Sequence, residues 1–139
     1  IGTLYRHFPS REALTEAVYR AELAEVAASA AQLLDHHPPA IALRRWMDRY
    51  AEFAAAKRGM AESLRAVFES GAVVRSDTMA SIVGAVESLL VAGAADGSLR
   101  ADVRADDVVS SLLGISLVNR SAEQTKRMLD LLAAGVAAR

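Results

Sequence analysis

Cysteine is missing from all 139 residues. That excludes a disulfide scaffold, a thiolate metal site and a cysteine nucleophile. Aromatic residues make up only 5% of the chain and proline occurs three times. Neither sign of charge dominates: 16 Lys+Arg face 17 Asp+Glu, for a net charge of −1. Such a chain carries no global field for nucleic acid or an anionic membrane. No apolar run of about 18 residues reads as a membrane span, and no basic start leads into the apolar run of a signal peptide.

Catalytic patterns are missing too. The eight glycines are scattered and form no phosphate-cradling loop. There is no G-x-S-x-G elbow; Gly114-Ile115-Ser116 is half of one, on a helix. No H-E-x-x-H or Glu-x-x-His spacing occurs, and His36 and His37 are neighbours in a turn, badly placed to share one ion. Neither an enzyme activity, a metal nor a cofactor is expected.

What is present is apolar and helical. Hydrophobic residues reach 53%, too many for a disordered chain and enough for one domain with a real core. Their spacing is helical nearly throughout, so the expected class is all-α. Ser10 is a good N-cap for a helix to about Leu34. Pro38-Pro39 breaks the chain and opens a helix to about Lys57. Leu43, Trp46, Met47, Tyr50, Phe53 and Ala54 form its apolar face. Arg44, Arg45, Arg49, Lys57 and Arg58 lie off that face, diluted by Asp48 and Glu52, and read as a solvated surface. A short helix is expected from Gly59 to Gly71, with Met60, Leu64, Val67 and Phe68 inward. A longer one covers Ser76 to Ala95, with Met79, Ile82, Val83, Val86, Leu89 and Leu90 on one side. Asp96-Gly97-Ser98 reads as a turn and Leu99–Arg104 as a polar connector. Asp106-Asp107 and Ser121-x-x-Gln124 mark the starts of the last two helices.

Those last two helices are apolar on more than one face, so each needs cover on more than one side. A second copy of the chain is the expected cover, in a four-helix contact about a two-fold axis. Val108, Leu112, Ile115, Met128, Leu131 and Leu132 are its candidate residues.

The first eleven residues hold Arg6, His7 and Arg11 but no acid. Thr3, Tyr5, Arg6 and His7 offer hydrogen-bond donors on a short helix, and Leu4 and Phe8, four apart, supply its buried side. A groove-reading helix needs that combination. The run Gly2-Thr3-Leu4-Tyr5-Arg6-His7-Phe8-Pro9-Ser10-Arg11-Glu12-Ala13-Leu14 resembles the end of the helix-turn-helix of the TetR family of transcriptional regulators.

The resemblance implies a cytoplasmic, dimeric repressor that a small, largely apolar effector releases from operator DNA. Residues 1–9 would be the recognition-helix remnant of a DNA-binding domain, and residues 10–139 the effector-binding and dimerisation domain. Thr3, Tyr5, Arg6, His7 and Arg11 would face DNA. The effector would sit among Trp46, Met47, Tyr50, Phe53, Met60, Leu64, Phe68, Met79, Val83, Val86 and Leu90. By the same resemblance, two helices of the family precede Ile1, so this stretch alone is expected to dimerise but bind DNA poorly. The competing expectation is a helical ligand-carrying or interaction module with no DNA role.

Overall fold

The computed structural model describes residues 10–58, 75–118 and 121–139. They form five α-helices: α1 (Arg11–His36), α2 (Pro39–Arg58), α3 (Arg75–Asp96), α4 (Ala105–Val118) and α5 (Ala122–Val136). The expected short helix from Gly59 to Gly71 lies outside the described residues.

Local chemistry sets the helix ends. The Ser10 side chain accepts a hydrogen bond from the Ala13 amide at 3.1 Å, the expected N-cap of α1. Pro38 interrupts the chain between α1 and α2, and Pro39 occupies the first position of α2, where its missing N–H costs nothing. Ser121 caps α5 by accepting from the Gln124 amide. Gly97, with φ of +82°, ends α3 in the left-handed region that favours glycine.

The hairpin of α1 and α2 is antiparallel. Trp46 Nε1 donates to the Val26 carbonyl at 2.9 Å, Phe53 meets Tyr19, and Lys57 pairs with Glu22. Against this hairpin lies α3, whose Ile82, Ala85, Val86, Leu89 and Leu90 are buried. The core is completed by Val108, Val109, Leu112 and Ile115 of α4 and by Leu129 and Val136 of α5. Within α3, Met79–Asp96 is long and apolar enough to cross a membrane by length and composition. This corrects the reading that no such run exists. Its core-facing side is spent on the subunit's own interior.

The connector after α3 is less polar than its sequence suggests. Leu99 is buried, its amide donates to the Gly93 carbonyl at 2.9 Å, and its side chain fills the space beside the Gly93 Cα. Leu99 and Ala137 form an antiparallel bridge. Arg100 N–H donates to the Val136 carbonyl, and Ala138 N–H donates to the Ser98 carbonyl. The Arg100 guanidinium binds the Gly135 carbonyl and both carboxylate oxygens of Asp102. The turn between α3 and α4 is thereby laced to the end of α5.

Candidate functional site

The described aromatic residues gather at one place. The only tryptophan, two of the three tyrosines and one of the three phenylalanines form a chain of ring contacts. Trp46 and Tyr50 stack with centroids 5.9 Å apart. Tyr50 meets Phe53 at 6.4 Å, and Phe53 meets Tyr19 of α1 at 5.5 Å. The three residues of α2 share a face because they are spaced by one helical turn. Lys57 lies over the Phe53 ring at 5.5 Å and is paired with Glu22. The cluster runs along the hairpin from its sealed middle at Trp46 toward the start of α1.

Burial within the cluster is graded. Trp46 is fully enclosed and its indole N–H is satisfied by the Val26 carbonyl. Tyr50 is 7% exposed. Burial, with a smaller contribution from the neighbouring Tyr19, pushes its phenol up to about 12. Burial also raises the phenol of Tyr19. Both groups are therefore neutral hydroxyls at ordinary pH.

The eleven expected effector residues separate into groups. Trp46, Met47 and Val86 are packed core with no exposed surface. Tyr50 and Phe53 belong to the aromatic cluster. Val83 and Leu90 line a groove of about 500 Å³ between α3 and the start of α4, shared with Glu87, Val91, Val103 and Arg104. Met79 is 36% exposed at the first turns of α3. Met60, Leu64 and Phe68 lie outside the described residues, as do Thr3, Tyr5, Arg6 and His7. Arg11 is exposed in the first turn of α1.

The candidates for a subunit contact also divide. Val108, Leu112 and Ile115 are buried inside the single subunit, so their side chains present almost no surface to a second one. Met128 and Leu132 are half-buried, and Leu131 is 71% exposed. The apolar groups that α4 turns to solvent are Leu117 at 83% and Val118 at 77%. Neither was among the contact candidates, although both count among the residues that make α4 apolar on more than one face. Their signal was available: they follow Gly114 and Ser110 by one and two turns, on the side of α4 opposite the buried residues.

Arg44, read from the sequence as solvated, is a tertiary clamp. It bonds Asp48 within α2 and reaches Asp130 and the Lys126 carbonyl on α5. Among the described residues no group of three or more potential metal ligands converges.

A family model, described as the C-terminal domain of SbtR-like transcriptional regulators, matches residues 38–138. The chain belongs to the TetR family of transcriptional regulators. The crystal structure of a TetR regulator from Streptomyces coelicolor is 44% identical, with a TM-score of 0.88; the match covers 99% of this chain and 80% of that one. A TetR regulatory protein from Mycobacterium vanbaalenii is 25% identical, with a TM-score of 0.72, over 99% of this chain and 75% of its own. No curated protein sequence matches. The expected all-α TetR-like fold is thus the observed one, and the match to the C-terminal-domain model spans α2 to α5.

Proposed function

We propose that this regulator is a homodimeric repressor whose α1 carries a small-molecule signal to operator DNA. The observation that carries the reading is the continuity of α1. One unbroken helix of 26 residues starts at the Ser10 cap, directly after the recognition-like segment, and runs through the aromatic cluster into the core. A helix of that length spans about 39 Å. A ligand that repacks Tyr19 against Phe53 therefore tilts a rigid rod whose other end bears Arg11 and the segment with Thr3, Tyr5, Arg6 and His7.

In a dimer, two such rods set the spacing of two recognition helices, and operator half-sites tolerate little change in that spacing. A ligand that favours the wrong spacing releases DNA by shifting the population of states. The exposed Leu117, Val118 and Leu131 supply the apolar surface for the second subunit. Membranes have no part in this reading, and the cytoplasm is where such a protein works.

The test uses the natural full-length protein and duplexes selected from a random DNA library. Tight binding to a two-fold symmetric site, weakened by an aromatic apolar compound, is the expected result. Binding that ignores every such compound, or a preference for asymmetric single sites, contradicts the reading.

A further inference from the structure

The groove between α3 and the start of α4 combines apolar walls with one unspent charge. Val83, Leu90, Val91 and Ala94 line it from α3, and Val103 and Ala105 line it from the connector and α4. Val91 stands 63% exposed there, a large apolar side chain left in solvent. Positions 83, 87, 90, 91 and 94 recur at helical spacing, so Glu87 shares one face of α3 with them. That face runs for about 16 Å along the helix. At about 500 Å³ the groove falls in the size range of small-molecule sites.

The charges around it say what kind of molecule fits. The Arg100 guanidinium holds both carboxylate oxygens of Asp102, at 2.9 and 2.8 Å. Arg104 holds both oxygens of Asp106, at 3.1 and 3.0 Å. Such forked pairs leave little positive charge for a third group. Glu87 differs: among the described residues it has no ion pair and no hydrogen bond. The lining therefore offers one unmatched carboxylate beside apolar side chains. Its complement is a cationic head on an apolar body.

We propose that this groove binds an amphiphilic amine, with its ammonium on Glu87 and its chain along Leu90, Val91 and Val103. Glu87 sets the preference for a cation, and Val91 supplies contact that any alkyl chain can use. The site goes beyond the effector reading, whose ligand acts at Tyr19 and Phe53; of the expected effector residues only Val83 and Leu90 line it. It also lies about 18 Å along α4 from the exposed Leu117.

Three probes share an eight-carbon chain and differ in head charge: n-octylamine, 1-octanol and octanoate. Titration calorimetry of the natural full-length protein at neutral pH and low salt compares them. The wild type should bind octylamine about three- to fivefold more tightly than octanol, and octanoate most weakly. High salt should shrink that preference. Glu87→Gln should erase it and leave the affinity for octanol within about twofold. Val91→Ser should weaken octylamine and octanol alike, by about threefold, and leave their ratio unchanged. Both positions are exposed, so these substitutions spare the core. Equal affinities in the wild type, a preference for octanoate, or no binding of octylamine at millimolar concentration overturns the proposal. So does a preference that survives Glu87→Gln, or binding indifferent to Val91→Ser. Binding is read without DNA, so the result stands apart from whether any ligand releases an operator.

Discussion

The turn joining α3 to α4 and the outer sides of α4 and α5 are built on opposite principles. At the turn, every device closes on the chain itself. Leu99 fills the space beside Gly93, Gly97 supplies the left-handed residue, and Arg100 ties Asp102 to the end of α5. The outer sides of α4 and α5 instead leave Leu117, Val118 and Leu131 facing solvent. Closed regions supply stability. Open ones leave large apolar side chains in solvent.

The comparison can be broken by substitutions that cost stability in the wrong place. The largest effect is expected in the sealed core. Leu112 is 1% exposed, and Leu112→Ala should cost about 3 kcal/mol of folding free energy, read from urea unfolding. A loss under about 1 kcal/mol would mean that the core there is not closed. Next comes the turn. A Cβ at Gly93 would collide with the Leu99 side chain, so Gly93→Ala should cost about 1–3 kcal/mol despite alanine's better helix propensity. Gly93→Ala combined with Leu99→Ala should recover part of that loss, because the second change removes the colliding atoms.

The smallest effect is a pH dependence in the aromatic cluster. The phenol of Tyr50 is raised by burial, with a lesser push from Tyr19, to about 12. A folded pKa above the ordinary value of about 10 means that the folded state holds its proton more tightly. That contribution is present in full below pH 10 and is lost as pH rises from about 10 through 12. Tyr50→Phe should therefore flatten the alkaline limb of a stability–pH curve above about pH 10 and leave neutral pH unchanged. An identical alkaline limb in wild type and variant would show that the phenol is already solvated.

Much of the fold was legible because its punctuation is chemical. Ser10, Pro39, Gly97 and Ser121 each do a job that few other residues can do, and the helix limits fall within a few residues of them. The inward face of α2 was legible because its stripe is unbroken. The phase of α4 was not, since its apolar residues surround the helix. Which side turned inward was decided by packing on α3 and α5, and that put Val108, Leu112 and Ile115 inside and Leu117 outside. Arg44 was read as solvated for a similar reason. Its local neighbour Asp48 was visible four residues on, whereas Asp130, 86 residues away, was not. In the candidate site, ring spacing on α2 was readable, but the contact of Phe53 with Tyr19 depends on a ring supplied by α1.

The central claim is that the exposed apolar rim of α4 and α5 is open because a second subunit closes it. Sedimentation equilibrium of the wild type and of a Leu117→Asp, Leu131→Asp double variant tests it most directly. The wild type should sediment at twice the 14.8 kDa chain mass. The variant should sediment as a monomer with unchanged helical circular dichroism, because both positions lie on the surface of the subunit. A monomeric wild type, or a variant that remains a dimer at the same concentrations, would contradict the account.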